Sequence, residues 1–344
     1  MKSTGLAILV AVAVLGAALL LLSNGGGNQP HLVSVEREVM GAHVVIAVYD
    51  TSTQAAEEAI DSAFTSIAEI ESVASPLDDA SEISELNRTS YLPAASDKLV
   101  AMLRLASVVH QVSGGAFDVT MGALHELWQF DPQAETQFRD LSRGVQSPSI
   151  TVARKHVGME RILLGSGRKT SISLVPGTIL DLGPIAMGTA VDAAIDTLHD
   201  AGIQYALVTA DGKWRAFGGT PKGLPWEIVL GDPNNDVVRF LLNDGAIAVA
   251  GNCERLFDSS TGIGEDLDPR SGFPIAEAAF VAVVAPTCAE AGALATSVLV
   301  LGTESGLALI ERLVATETLF LECEDPEDAR GSSGFGLFQT PLDD

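Results

Sequence analysis

Apolar positions recur every three to four residues in several parts of the chain, and each such stretch predicts an amphipathic helix. Ala56, Ile60, Ala63, Phe64, Ile67 and Ile70 mark a long one. Leu99, Met102, Leu103, Ala106 and Val109 mark a second, broken by Ser113-Gly114-Gly115. Val191, Ala194, Ile195 and Leu198 give a third, stopped by Gly202, and Ala291, Leu294, Ala295, Val298 and Leu301 a fourth. Thr303 then caps a further helix that reaches about Val314. Short runs rich in Val, Ile and Ala read as strands: Val44 to Val48, Ala206 to Val208, Trp226 to Leu230, Ala246 to Val249 and Ala278 to Val284. Arg161 to Leu164 and Thr170 to Leu174 flank a Gly-Ser-Gly turn and read as a hairpin. The order of elements predicts a mixed α/β fold, α+β in character, with largely antiparallel sheet in one large globular unit.

The N-terminal pattern is different. Gly5 to Leu22 is unbroken apolar sequence, long enough to cross a bilayer, and Ser23 to Pro30 reads as a linker. Residues 1–22 are therefore an uncleaved signal anchor or a cleaved signal peptide, 23–32 a linker, and 33–344 the globular part. Lys2 precedes the apolar run and no Lys or Arg follows it until Arg37, so the globular part is expected outside the cytoplasm.

Charge changes the picture by exclusion. The net charge is −25, from 45 acidic and 20 basic residues, which leaves no basic footprint for a nucleic acid. Cys253, Cys288 and Cys323 are too far apart for a CxxC metal or redox pair. The chain has no Gly-x-Ser-x-Gly elbow, Walker loop or His-Glu-x-x-His, and its six His show no ligand spacing.

The densest local information is the stretch Asp181 to Asp192, which joins a strand end, a Gly183-Pro184 turn and a helix start. Unpaired amides and the helix dipole at such a start suit an anion, with Gly188 leaving the backbone open. An ordinary strand-to-helix turn is the other reading of the same residues.

Six motifs occur in order: Met40-Gly41; Ser81-Glu82-Ile83 with Asn87; Gly114 to Thr120 through Leu127-Trp128; Asp181 to Asp192; Asp268-Pro269-Arg270-Ser271-Gly272; and Ala293 to Thr296. Together they resemble the ApbE family of FAD:protein FMN transferases, from about Val33 to Phe335. The resemblance implies an ApbE-like two-lobed domain that binds FAD in a cleft and moves FMN to a threonine of a target protein outside the cytoplasm. In the family such targets are flavin-carrying subunits of ion-translocating redox complexes. Carried over by motif, Met40, Ala116, Phe117, Asp118 and Asp181 would contact the flavin dinucleotide. The carbonyl of Pro184 and the side chain of Thr296 would meet a magnesium ion.

The chain departs from the family's pattern at several places. Met187 replaces a Lys, Gly292 an Asp that anchors magnesium, and Glu265 a His before Asp268-Pro269-Arg270. Leu77 stands for an aromatic, Val249-Ala250 for a Thr-Ser pair, and Asp211-Gly212-Lys213 for Gly-Gly-Asp. Glu265 is a candidate replacement base or cation ligand, against the plainer reading of a solvated acidic loop with Asp266 and Asp268. These departures motivate an alternative: a protein on the same fold that binds flavin or a partner without transfer.

Overall fold

Eight strands, every neighbouring pair antiparallel, form the sheet on which the rest of the molecule is arranged. The computed structural model describes residues 29–128, 147–232, 235–251, 256–258, 263–264, 266–275, 279–322 and 329–337. Across the sheet the order is His31–Val39, Ala42–Asp50, Ala206–Ala210, Lys213–Phe217, Gly245–Ala250, Ala279–Ala285, Glu317–Glu322 and Arg330–Gly331. The expected signal anchor or signal peptide lies outside the described residues, and the first strand begins at His31, inside the expected linker.

Seven α-helices are described: α1 (Thr53–Ala74), α2 (Glu82–Thr89), α3 (Asp97–Val112), α4 (Gly122–Trp128), α5 (Ser147–Arg154), α6 (Gly183–Asp200) and α7 (Cys288–Ile310). Ser52, Ser81 and Ser96 cap α1, α2 and α3, each accepting a backbone N–H three residues on. Gly114 and Gly115, both at positive φ, turn the chain sharply after α3, a conformation that side chains resist.

The period-two pattern of the strands decides where the core lies. Val44, Ile46 and Val48 point to one face and pack with the apolar stripes of α1, α6 and α7. Ala47, Leu207, Trp214 and Ile247 point to the other face, which the hairpin Trp226–Asp232 with Asn235–Leu242 covers. Burial of Ile46, Ile60, Ile67 and Leu103, each at most 2% exposed, is worth roughly 1.5–3 kcal/mol per side chain.

Helix α7 is long and apolar enough to cross a membrane by composition, yet Ala291, Leu294, Ala295 and Val298 are buried against the sheet. It is a core helix. Gly302, at φ 73 and ψ 175, breaks it just before Thr303, where the sequence predicts a new helix. The second segment ends at Ile310 rather than at about Val314, and Val314 is exposed.

The expected hairpin forms between Ile162–Leu164 and Ile172–Leu174, and Tyr91–Leu92 extends it to three strands. A third apolar cluster, of Met121, Leu124, Trp128, Ile150, Ala153 and Leu267, packs α4 against α5 and the segment 266–275. With Met121 and Leu267 it lines a small pocket whose other residues include Pro184 of α6 and Thr296 and Val300 of α7.

Candidate functional site

The segments carrying Asp118 and Asp181 are stitched side by side by backbone. Met121 and Ile179 form a parallel bridge, the Gly122 N–H donates to the Ile179 carbonyl at 3.1 Å, and the Asp181 N–H to that of Val119 at 2.7 Å. A β-carbon on Gly122 would lie 2.4 Å from the Ile179 side chain, so only glycine permits this approach. From α2, the Asn87 amide donates to the Leu180 carbonyl at 2.9 Å and accepts from its N–H at 2.8 Å, completing the ladder as a strand would. Trp128 donates to the Gly272 carbonyl at 2.9 Å and holds α4 to the Asp268–Gly272 turn, which Asp268 closes by accepting from Arg270.

Ala116, Phe117, Asp118, Asp181, Pro184 and Thr296 all line one pocket, together with Val119, Met121, His125, Asp266, Leu267 and Val300. Its volume of about 120 Å³ suits one polar group of a ligand rather than a whole dinucleotide. Met40 stands apart. It forms a two-residue turn with Gly41, both at positive φ, and packs partly buried on the main core. Leu77 is 93% exposed and lines no wall of this pocket. Glu265, Cys253 and Cys323 lie outside the described residues. Cys288 is a buried free thiol, raised far above the usual thiol range by burial and by Asp192.

Asp118 and Asp181 both line the pocket, each beside a histidine, and of the two histidines His125 lines it as well. Asp118 accepts from the Thr120 hydroxyl at 2.5 Å and the Thr120 N–H at 2.8 Å, with His110 Nδ1 at 3.3 Å. Burial pushes its carboxyl above the usual range, outweighing Thr120 and His110. Asp181 accepts the Gly183 N–H at 2.8 Å on one oxygen and His125 Nδ1 at 2.8 Å on the other. Desolvation works against its charge, but His125 and the Gly183 N–H prevail and hold the carboxyl below the usual range. His125 was not among the residues the motifs single out. The spacing gives no sign of it, because its partner lies on a different segment.

The start of α6 departs from the phosphate-site expectation. Its first amides are already spent: Gly183 on Asp181, Ile185 and Ala186 on the Leu182 carbonyl, while Pro184 has none. Gly188 does not open the backbone to a ligand either. A β-carbon there would lie 2.6 Å from the backbone of Cys288 and Ala289, so this glycine serves close packing of α6 on α7. Met187 is buried in the core beside it.

Comparison with known proteins agrees with this architecture. The model of the ApbE family matches residues 40–320. The chain belongs to the ApbE family. Among relatives, it is 29% identical over 266 residues to the FAD:protein FMN transferase of Vibrio cholerae serotype O1, covering 75% of this chain and 78% of that protein. The corresponding protein of Haemophilus influenzae is 27% identical over 267 residues, covering 74% and 76%. The crystal structure of the flavinyl transferase ApbE of Pseudomonas stutzeri, in its apo form, superposes with a TM-score of 0.76 at 26% identity, over 91% of this chain and 99% of that one. The fold is thus the mixed α/β, largely antiparallel one that the element order predicts.

The family's magnesium can be tested against the side chains present. Pro184 and Thr296 do meet in one pocket, but the Thr296 hydroxyl donates back to the Gly292 carbonyl at 3.2 Å. A β-carbon on Gly292 would stand 2.7 Å from the Pro184 carbonyl oxygen, leaving no room for any side chain there. Among the described residues no group of three His, Cys, Asp or Glu is placed to hold a metal. Magnesium asks for near-octahedral oxygen donors including a carboxylate or two; Asp118, Asp181 and Asp266 line the pocket, and both oxygens of Asp181 are engaged by His125 and the Gly183 N–H. Among the described residues, the side chains form no ready-made site for a divalent ion.

Proposed function

We propose that this protein is an FAD:protein FMN transferase, moving FMN from FAD to a threonine of a target redox protein outside the cytoplasm. The observation that supports this reading is the convergence, in one pocket, of Ala116, Phe117, Asp118 and Asp181 from segments far apart in the chain. Vibrio and Haemophilus relatives carrying that activity in their names support it further. A target among flavin-carrying subunits of an ion-translocating redox complex, and attachment to the membrane through Gly5 to Leu22, complete the proposal.

In this reaction the threonine oxygen forms a bond to the FMN phosphorus, the bond from that phosphorus to the bridging oxygen breaks, and AMP leaves with that oxygen. The hydroxyl proton needs an acceptor. His125 suits the task. Asp181 holds its Nδ1–H at 2.8 Å, which fixes the tautomer and leaves Nε2 as the base. Phe117 and Val119 keep water from the same pocket, and Asp118 accepts hydrogen bonds from the bound dinucleotide.

A second reading, binding without transfer, draws on the closure of Gly292 against Pro184 and on the exposure of Leu77. One experiment separates them. Incubating the full chain with FAD and a threonine-bearing target yields a covalently fluorescent target and one AMP per transfer under the first reading. An FAD-induced rise in melting temperature without AMP points to the second, and neither response overturns both.

A further inference from the structure

Lys213 stands at the end of a tight turn whose residues Asp211 and Gly212 both have positive φ. Alternation along Lys213–Phe217 places Lys213 and Arg215 on one face and the buried Trp214 and Ala216 on the other. Arg215 shows which way that face looks, because its guanidinium reaches Asp192 on α6 at 2.9 Å. Two residues earlier, the Lys213 Cε lies 3.6 Å from the point where a β-carbon on Gly292 would be. The Pro184 carbonyl oxygen is 2.7 Å from that same point. The end of the lysine chain therefore lies beside Gly292 on α7, in the neighbourhood of the Pro184 carbonyl at the start of α6.

Among the described residues Lys213 makes no ion pair, and its Nζ has one weak polar partner, the Asp211 carbonyl at 3.4 Å. Arg215 and Arg270 are committed to carboxylates, to Asp192 and Asp196 in one case and Asp268 in the other. Lys213 is half-buried as a residue and its ammonium is not neutralised by a carboxylate among the described residues, although acidic residues outnumber basic ones 45 to 20 in the chain, so this cation is left available to an anionic ligand. The α6 amides that would otherwise receive a phosphate are spent, and among the described residues no group of three His, Cys, Asp or Glu is placed to hold a metal.

We propose that the Lys213 ammonium is the cation of this site: it holds the phosphates of the dinucleotide at the wall formed by Pro184, Gly292 and Thr296, in place of a metal ion. A lysine supplies a compact charge with three donors, tethered in position. This inference rests on the dinucleotide reading above, so its test uses a probe that does not depend on transfer.

The probe is inorganic pyrophosphate, titrated by calorimetry into the full chain in EDTA. Wild type binds it without metal, Lys213→Met loses at least about tenfold in affinity, and Lys213→Arg recovers part of that loss. Melting temperatures of the three proteins identify any loss due to misfolding, and Lys213→Arg controls for the fold. Binding only with added Mg²⁺, binding unchanged in Lys213→Met, or no binding at all overturns the proposal. Pyrophosphate binding in EDTA with no AMP release from FAD leaves it standing and sinks the transfer reading instead. In the transfer assay, EDTA leaves the wild-type rate within about twofold, whereas Mg²⁺ does not rescue Lys213→Met.

Discussion

Gly292 and Pro184 are in such close contact that a β-carbon on the first would lie 2.7 Å from the carbonyl oxygen of the second. The missing metal-anchoring side chain is therefore not a simple deletion that a point mutation reverses. Backbone from α6 occupies its place. We expect Gly292→Asp to destabilise the protein by about 1–3 kcal/mol through overpacking, without conferring Mg²⁺ affinity. Urea unfolding with and without Mg²⁺ checks both parts; an unchanged midpoint, or one that Mg²⁺ raises, contradicts this account.

His125→Gln keeps the ring-sized polar contact and removes the base. Transfer should fall by about 10² to 10⁴, while FAD affinity stays within about threefold. A loss expressed in FAD affinity alone would make His125 a binding residue.

Asp118 makes a prediction about sign. Burial raises its carboxyl above the ordinary 3.8, so the folded protein holds that proton more tightly than the unfolded chain does. Its ionisation costs stability that is absent in acid, appears as pH rises through the unfolded value toward the folded one, and is fully present at neutral pH. Asp118→Asn keeps the acceptor for Thr120 and removes the charge. It should melt higher than wild type at neutral pH, by on the order of 2 °C per kcal/mol recovered, with the gap closing in acid. FAD affinity should fall in the same variant, the pattern expected where function strains stability.

Asn87→Ala removes both bonds to Leu180, at 2.9 and 2.8 Å, and strands a partly buried carbonyl and amide. A loss of about 2–4 kcal/mol is expected, with weaker FAD binding because Asp181 is the next residue. Denaturant midpoints and an FAD titration measure the two effects; a loss below about 1 kcal/mol would mean that water satisfies Leu180 equally well.

How legible was this molecule in its sequence? Periodicity located α1, α3 and α6, whose buried positions follow the predicted stripes. Strand His31–Val39 is an edge strand whose alternation of Val33, Val35 and Val39 is interrupted by Arg37 and flanked by Glu36 and Glu38, which weakens the apolar signal. Helix α2 escaped because only Ile83 and Leu86 of its eight residues are buried. At the site, the motifs contain Asp118 with its partner Thr120, and Asp181 without the pairing to His125. The His125–Asp181 pair depends on the backbone bridge at Met121 and Ile179, and Lys213 on where a strand of the sheet ends in space. Gly188 was misread for the same reason: what it faces is another helix, invisible to local pattern.

Asp192 gathers much of this geometry in one carboxylate, which accepts the Cys288 and Ala289 N–H groups at 2.8 and 3.0 Å and pairs with Arg215 at 2.9 Å. It locks the start of α7, the middle of α6 and the central sheet into a single block. That block carries Pro184, Thr296 and Lys213, so this wall has no hinge of its own. Any widening that admits a flavin dinucleotide then falls to the facing wall, where α4 packs on the 266–275 segment through Leu124, Trp128 and Leu267 and Trp128 donates to the Gly272 carbonyl.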